Sequence, residues 1–315
     1  MSSKKQKPFL VVLDVGHGNA AVLHDEGGTV VFDTGKGATV GRHLQQLGIK
    51  KVQALFLSHA DEDHIGGAVT LLLAGEVQIA EVFMNSDATK QTLVFEQLRY
   101  ALAEANVRHG TKIDRRLATS TSFPRMGISI EVLHPPDAIV MSGVGGKPKG
   151  GRKLTSNSMS AAIRISRGAK SSVLLGGDIE YDCLDGWKAK AVQPTAAVLV
   201  FPHHGGLPDT SDSSEAELFA FELTKLVCPE VVIFSNHRTK FNKPNPRDEI
   251  LTAISKASGT IQLVCTQLPQ RLHPNVKVGG QWSLHKSPTG AGIVEGSICL
   301  EFQASGIQVT FGERP

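Results

Sequence analysis

The sequence has few residues of the kinds that mark several common classes of protein. Its four cysteines (Cys183, Cys228, Cys265 and Cys299) lie far apart and form no CxxC spacing. We therefore expect reduced thiols in the core rather than disulfides or a zinc knuckle. No apolar run approaches the roughly 20 residues of a membrane-spanning helix, and the run near the N-terminus is too short for a signal peptide. These absences predict a soluble, cytoplasmic protein.

The sequence also has few aromatic residues and only a small excess of positive charge. Two Trp and two Tyr among 315 residues provide little for base stacking, which argues against a dedicated single-strand binder. The 33 basic and 30 acidic residues give a net charge of +3, which is too small to indicate nucleic-acid binding by itself. The GxSxG sequence of serine hydrolases is absent. A hydrophobic content of 41% is ordinary for a globular protein.

Short apolar runs separated by Gly, Asn and Asp dominate the first third of the sequence. FLVVLDVG (9–16), AAVLH (20–24) and TVVFDTG (29–35) are typical of strands, and the apolar spacing predicts a long helix over 89–107. The second half repeats the alternation of strands with helices. We therefore predict a single α/β domain over residues 1–315, an αββα sandwich of two mixed β-sheets flanked by helices.

The segment LFLSHADEDHIGG (55–67) crowds metal-binding side chains into one loop directly after an apolar run. They are His59, Asp61, Asp63 and His64. Two carboxylates this close repel each other unless a cation lies between them, and imidazoles are ligands that transition metals prefer. The alternative is a solvated acidic loop in which Asp63 is the N-cap of the next helix. The joint occurrence of all four residues favours a metal site.

Further ligands are expected from the second half, because one loop cannot enclose two metal ions. The run SSVLLGGD ends at Asp178, and AAVLVFPHH ends at the adjacent His203 and His204. A carboxylate at the first place can bridge two ions about 3.5–4 Å apart, and a histidine at the second can complete one shell. A turn aspartate and two loop histidines are the structural alternatives.

The order HxDxDH, then GD, then HHG resembles the metallo-β-lactamase fold. SHADEDHIGG is similar to the form in the metallo-β-lactamase-like domain of the ComEC-type DNA-internalisation competence proteins. LDVGHGNAAVL, VVFDTG, VLHPP and NSMSAAIRI extend this resemblance over about residues 9–255. That domain normally accompanies a membrane channel, and the sequence has no such segment, so we expect a stand-alone relative.

The resemblance implies a centre of two divalent metal ions, Zn²⁺ or Mn²⁺, with Mg²⁺ also compatible. It assigns His59 and Asp61 to one ion, Asp63 and His64 to the other, Asp178 to the bridge, and one of His203 and His204 to the first or the second ion. Which of these two histidines binds stays open.

Three other residues are expected near the metal ions. Asp33 in FDTG matches the family's first-motif aspartate and is expected to be a buried organiser of the ligand loop. His134 in LHPP and Asn157 in SNSMS are candidate neighbours, each with a structural role as the alternative.

Several positions depart from the family pattern. Asp61 stands where many members have a second histidine, a change shared with the competence branch. TSNSMS stands where many members have a histidine before GD. The competence pattern GQGDA reads GHGNA here, with His17 and Asn19. The oxygen-rich site favours Mn²⁺ or Mg²⁺ relative to an all-histidine zinc site.

Metal-assisted hydrolysis is the chemistry that such a centre predicts. Two ions generate hydroxide at neutral pH and stabilise the charge that develops on an attacked phosphorus or carbonyl group. Asp61 or Asp63 is expected to orient the hydroxide, and both are candidate catalytic residues.

A basic, glycine-rich loop over 142–158 suggests the substrate. Its cations are Lys147, Lys149, Arg152 and Lys153, shortly before Asn157. The cations of such a loop can contact the phosphates of a nucleic acid without recognising its bases. The alternative is a solvated loop that binds no substrate. We therefore predict a phosphodiesterase or nuclease whose partner is a nucleic acid or a nucleotide.

Two other functions and one segment stay open. A hydrolase of a small ester, lactone or phosphorylated metabolite would need a narrow, mainly apolar pocket. A metal-stabilised binding or sensor module without activity is the second alternative. The C-terminal extension from about residue 260 to 315 lies beyond the resemblance, and we expect it to add a strand pair to the second sheet.

Overall fold

The strands of the protein form two sheets that pack face to face. The computed structural model describes residues 7–123, 127–148, 151–168, 170–208, 213–239, 245–269, 272 and 296–311. The strands in these residues are β1 (Phe9–Val12), β2 (Ala21–Asp25), β3 (Gly28–Phe32), β4 (Lys51–Phe56), β5 (Gln78–Ile79), β6 (Glu81–Phe83), β7 (Lys112–Asp114), β8 (Ser129–His134), β9 (Ala162–Ser166), β10 (Ser172–Leu175), β11 (Val198–Val200), β12 (Val231–Phe234), β13 (Gln262–Cys265), β14 (Ile298–Gln303) and β15 (Gly306–Phe311). The helices are α1 (Thr39–Gln46), α2 (Glu62–Ala74), α3 (Leu93–His109), α4 (Asp137–Ser142), α5 (Tyr181–Ala189), α6 (Ser213–Val227) and α7 (Asp248–Ala257).

Each sheet mixes parallel and antiparallel pairs. The first has the order β15-β14-β1-β2-β3-β4-β6-β7, with β5 beside β4, and its pairs are parallel from β3 to β7. The second has the order β13-β12-β11-β10-β9-β8, and its pairs are parallel from β13 to β10. The carboxyl ends of parallel neighbours lie at the same edge of a sheet, so the loops that follow them can share one site.

Apolar side chains on both faces of the strands build three layers of core. In β1, Leu10 and Val12 pack between the two sheets, whereas Val11 faces the helices that cover the first sheet. Val232, in β12, faces the helices that cover the second sheet. This alternation follows from the two-residue period of a strand. The predicted αββα sandwich is confirmed.

The long helix α3 begins later than the sequence predicts. Its apolar spacing indicated a helix from residue 89, but the first helical residue is Leu93. The Asp87 carboxylate accepts hydrogen bonds from the backbone N–H groups of Thr89 (2.9 Å) and Lys90 (3.1 Å). This local turn competes with the helix, which then starts after the Thr92 cap.

The C-terminal strand pair joins the first sheet, and the expectation that it extends the second sheet is wrong. β14 pairs antiparallel with β1, with Phe9 opposite Glu301, and β15 pairs with β14. The edge of β1 opposite β2 would otherwise carry unpaired backbone groups, which the hairpin satisfies. Of the described residues beyond 260, β13 is the strand in the second sheet.

Disulfides and membrane-spanning helices are both missing from the described ranges. The four cysteines form no disulfide. No helix among these residues combines the length and the apolar character that crossing a bilayer requires.

Candidate metal centre

The strand β4 delivers the first cluster of side chains to the edge of the first sheet. His59 follows the strand, and α2 begins at Glu62, so that Asp61 takes the N-cap position. The interpretation of Asp63 as the N-cap is therefore wrong. The Asp61 side chain makes no cap hydrogen bond, and Asp63 lies in the first turn of α2. Neither carboxylate is used to cap the helix.

Two parallel strands of the second sheet bring the remaining side chains to the same place. Asp178 follows β10, and His203 and His204 follow β11. Gly177 has a φ of +55°, and a Cβ atom there would lie 2.5 Å from the Ser160 Oγ. A side chain at this position would therefore push the Asp178 turn away from the ligand loop.

The Asp178 carboxylate is surrounded by imidazoles from both sheets. Its Oδ2 lies 3.7 Å from His59 Nε2 and 3.6 Å from His203 Nδ1, and its Oδ1 lies 3.3 Å from His64 Nε2. Two ligands of one tetrahedral ion, each about 2.1 Å from it, are about 3.4 Å apart. The spacing around Asp178 is thus that of ligands around a shared cation.

Asp63 is the centre of a second group of donor atoms. Its Oδ2 lies 3.2 Å from His17 Nε2 and 3.5 Å from His204 Nε2. His204 Nε2 is also 4.0 Å from Asp178 Oδ1, which makes the two groups neighbours. The donor atoms of His17, Asp63 and His204 all lie within 4.8 Å of one another, as do those of His59, His64 and Asp178. This grouping differs from the predicted pairing.

Asp61 lies at the side of the centre. Its Oδ2 is 3.8 Å from His59 Nε2, and its Oδ1 accepts a hydrogen bond from the Lys90 ammonium group. Lys90 comes from the Asp87 turn that precedes α3. One carboxylate oxygen thus faces the histidines, and the other is held by a cation.

Asp33 and two serines hold the ring nitrogens of the first group. Asp33 is 5% exposed, and its carboxylate accepts from the Ser58 backbone N–H (2.7 Å) and hydroxyl (2.8 Å) and lies 2.7 Å from His64 Nδ1. Ser58 Oγ and Ser160 Oγ lie 3.1 and 3.3 Å from His59 Nδ1. Both rings therefore direct Nε2 toward Asp178.

The charges at the site depend strongly on one another. Burial lowers the pKa of His59 to about 4, and the neighbouring His64 acts in the same direction. Burial also acts to lower the pKa of His64, but the carboxylates of Asp178 and Asp33 outweigh it and raise the pKa well above its usual range. Burial opposes the charge on Asp178, yet His64 and His203 hold its pKa well below the usual range. His64 and the buried carboxylates of Asp33 and Asp178 therefore stabilise each other's charges.

The His59 side chain provides the test of whether the residues fit a metal ion. Its Nε2 is fully buried and has no hydrogen-bond partner among the described residues, although two carboxylates lie 3.7 and 3.8 Å away. A buried nitrogen without a hydrogen bond destabilises the folded protein, and so do two carboxylates beside it. A cation bound by all three groups would remove this destabilisation. The donors are imidazoles and carboxylates, which suit divalent transition metals. The site fits such ions.

The other residues that the sequence predicted near the centre differ in burial. His134 is buried, and its Nε2 lies 3.1 Å from the Ser158 carbonyl oxygen. Asn157 is 9% exposed, and its Oδ1 has no hydrogen-bond partner in the described part of the chain. Lys147, Arg152 and Lys153 are exposed, whereas Lys149 lies outside the described residues.

The basic loop connects to the centre through Thr89. A Cβ atom at Gly145, in this loop, would lie 3.2 Å from the Thr89 methyl group, so the Gly145 backbone packs against the Thr89 side chain. The next residue, Lys90, contacts Asp61. The Gly145 end of the loop therefore lies close to the segment that carries Lys90.

Sequence reasoning missed two residues of the site. His17 was noted as a departure from a pattern, and its position just after a strand, in GHGNA, was the available signal. Lys90 carried no signal, because it lies 29 residues after Asp61 and the Asp87 turn brings the two side chains together.

The fold and the site together define a two-sheet αββα protein with a candidate centre for divalent metal ions. The model of the Metallo-beta-lactamase superfamily matches residues 13–227, more than half of the sequence. The chain belongs to the Metallo-beta-lactamase superfamily.

Individual relatives agree with this assignment. The chain is 27% identical over 240 residues to Recombination protein 2 of Haemophilus influenzae, and the match covers 72% of this chain but only 24% of that protein. The chain thus spans about a quarter of the length of this curated relative. Among solved structures, the metallo-beta-lactamase fold protein YhfI of Bacillus subtilis has a TM-score of 0.51 at 16% identity, over 82% of this chain and 96% of that one. Tm1679, described as a metal-dependent hydrolase of the beta-lactamase superfamily, has a TM-score of 0.50 at 14% identity, over 82% and 95% of the two chains.

Proposed function

We propose that the protein is a metal-dependent phosphodiesterase or nuclease that cleaves nucleic acid or nucleotides with two divalent ions. The observation that carries the proposal is the pair of adjacent donor groups centred on Asp178 and Asp63. When bound, two such ions supply Lewis acidity and an activated water at neutral pH. Zn²⁺ and Mn²⁺ suit this mixture of nitrogen and oxygen donors, and Mg²⁺ suits its carboxylates.

Most residues of the centre have a proposed role. His59, His64 and Asp178 hold one ion, and Asp63 and His204 hold the other, with Asp178 facing both groups. The Asp61 Oδ2 faces the His59 side of the centre, where it binds the first ion or orients the water. The water-orienting role is proposed for Asp61 or Asp63, the two carboxylates at the start of α2.

Cations at the rim support an anionic substrate. Lys90 reaches Asp61 from one side, and the exposed Lys147, Arg152 and Lys153 lie on the adjoining loop. Ammonium and guanidinium groups that line an open approach bind phosphates without reading bases. The printed name of the Haemophilus relative, a recombination protein, also points to DNA.

A small cavity lies in the core beside Asp33 and Ser58, which organise the ligand loop. The cavity that Asp33 and Ser58 line has a volume of about 20 Å³ and is mostly bordered by core residues such as Val12 and Phe56. This volume holds about one water molecule. This cavity is therefore too small to hold an ester or a lactone.

The test combines a metal count with cleavage assays on the purified chain. Elemental mass spectrometry after loading with Zn²⁺ or Mn²⁺ is expected to give two ions per chain. The loaded protein should cleave single- or double-stranded DNA, RNA or a small phosphodiester. Asp178→Asn should reduce cleavage by more than about 100-fold. Losing a residue that only hydrogen-bonds to a metal ligand already costs about 10–100-fold, and losing a ligand should cost more.

Asp185→Asn is the matched control, since Asp185 is an exposed aspartate of α5. It should retain both ions and full activity. Two bound ions together with cleavage of a small carboxylic ester, and with every phosphodiester intact, would contradict the proposal. Absence of both metal and activity would indicate a binding module.

The basic loop can be tested separately from the metal ions. Replacing Lys147, Arg152 and Lys153 together by Ser should raise KM for DNA or RNA and flatten its salt dependence, because fewer phosphate contacts release fewer counterions. The metal count and the turnover of a small phosphodiester should stay unchanged. An unaltered KM for DNA or RNA would show that the loop does not bind the substrate.

A further inference from the structure

The loop after β1 places an additional imidazole on the second donor group. His17 Nε2 lies 3.2 Å from Asp63 Oδ2, and its ring centroid is 4.4 Å from that of His204. The side chain of His17 is 13% exposed, so it is largely enclosed by the site. Asp63 therefore meets two imidazoles from separate parts of the chain at one oxygen atom.

Hydrogen bonds fix the backbone on both sides of His17. The Asn19 N–H donates to the Asp63 carbonyl oxygen at 3.2 Å, and the Gly16 N–H donates to the Asp14 carboxylate at 3.0 Å. The Gly18 carbonyl oxygen accepts from the Ser235 hydroxyl at 2.7 Å, which ties the loop to the second sheet. His17 is thus held in place before any metal ion binds, as a ligand requires.

The geometry points to His17 as a ligand of the second metal ion, together with Asp63 and His204. The three donor atoms lie within 4.8 Å of one another. Two imidazole nitrogens at 3.2 and 3.5 Å from the same carboxylate oxygen are spaced as ligands of one ion. The inference rests on the metal centre of the proposed function and adds a ligand that gives this ion a nitrogen-rich shell.

The identity of the ligand predicts a metal preference. A shell of two imidazoles and one carboxylate favours Zn²⁺, whereas Mn²⁺ depends more on oxygen ligands. The competence pattern has Gln where this chain has His17. The second ion of this chain should therefore prefer Zn²⁺ more strongly than the same site with Gln.

The variant His17→Gln separates a ligand from a simple hydrogen-bond donor. The Gln amide can still donate to Asp63, but it offers no imidazole nitrogen to a metal ion. Titration calorimetry and elemental mass spectrometry would be run on the full chain with Zn²⁺ and with Mn²⁺. We expect the wild type to hold two Zn²⁺ ions and the variant to bind the second at least about tenfold more weakly. Its Mn²⁺ affinity should change less.

His109→Gln makes the same chemical change at the C-terminal end of α3 and should leave both affinities unchanged. Circular dichroism and thermal unfolding in chelator would establish that His17→Gln folds as the wild type does. An unchanged Zn²⁺ affinity in the folded variant would show that His17 only donates a hydrogen bond to Asp63, and it would overturn the inference. A wild type that binds fewer than two ions would overturn it as well.

The readout is independent of catalysis. If the wild type binds two Zn²⁺ ions and His17→Gln loses one, the inference stands even when no phosphodiester is cleaved. If cleavage is found and His17→Gln keeps both ions tightly, the proposed function stands without this ligand.

Discussion

The carboxylate of Asp33 organises the loop that carries His59 and His64. It accepts two hydrogen bonds from Ser58 and lies 2.7 Å from His64 Nδ1. The Asp33 backbone has a φ of +52°, a conformation that Asp and Asn tolerate better than other side chains. Its position explains how a residue outside the donor groups can set the direction of two histidine rings.

Asp33→Asn should weaken metal binding without changing the backbone. The amide has one acceptor oxygen in place of two, so at least one of its buried partners loses a hydrogen bond, at a cost of about 1–3 kcal/mol. Metal affinity should fall by about 10–100-fold, the usual effect of losing a partner that orients a ligand. Calorimetric titration measures the affinity, and Asp185→Asn is the control. Unchanged affinity would show that Ser58 and His64 keep their positions without the Asp33 charge.

His134 is expected to make the stability of the metal-free protein depend on pH. Burial lowers the pKa of His134 to about 4, against an ordinary value near 6.5. As the pH falls from 6.5 to 4, the unfolded chain binds a proton that the folded chain rejects, so the free energy of unfolding decreases. The full effect is about 3 kcal/mol and is complete below pH 4.

The comparison for this prediction is with His134→Gln in chelator. The variant loses the buried ring and should be less stable at pH 7, but its side chain does not titrate. The stability gap between the two proteins, measured by urea unfolding, should therefore narrow between pH 7 and pH 4. A constant gap would place His134 in an environment where it protonates as readily as in the unfolded chain.

The loop between β1 and β2 is an element whose conformation depends on one glycine. Gly18 has a φ of +143°, and a Cβ atom there would lie 2.3 Å from the Asp63 carbonyl oxygen. The hydrogen bond from Asn19 N to the same oxygen requires this close approach. Any side chain at position 18 therefore separates the loop from α2.

Gly18→Ala should displace the loop and release the metal ion that Asp63 helps to hold. Gly37→Ala is the matched control, because Gly37 also has a positive φ (+73°) but no atom within 4 Å of its Cβ position. The free energy of unfolding of the control should fall only by about 1–2 kcal/mol, the cost of placing Ala in a left-handed backbone conformation. Metal content and thermal midpoints measure the difference. Equal losses in both variants would mean that the loop tolerates the Cβ and that the contact is unimportant.

For the molecule as a whole, the metal centre lies where the two sheets meet. His59, Asp63 and His64 come from the first sheet, and Asp178 and His204 come from the second. Ions bound by both sets would cross-link the sheets at this edge, in addition to the apolar core between them.

Metal removal should therefore lower the stability of the whole fold. Free metal at about 1,000 times its dissociation constant contributes about 4 kcal/mol to the folded state. Chelation should lower the thermal midpoint and increase hydrogen exchange at the β4–α2 loop and at the turn before α5. Asp178→Asn should show a much smaller response to chelator. A wild type with the same midpoint with and without chelator would exclude a metal link between the sheets.

The sequence by itself determined the αββα architecture and which residues are candidate metal ligands. The two-residue period of the strands and the crowded HxDxDH loop are local patterns, so the αββα architecture and residues such as His59 and Asp178 could be predicted without coordinates. Local competition moved boundaries only slightly, as the Asp87 turn does at α3.

The tertiary structure decided which parts of the chain meet. The donor groups around Asp178 and Asp63 are formed by loops that are distant in sequence. The same holds for the approach of His17 to Asp63 and for the contact of Lys90 with Asp61. The choice of β1 as partner for the C-terminal hairpin is likewise a question of which edge is open. Such contacts arise from the packing of whole sheets, and no local pattern of residues encodes them.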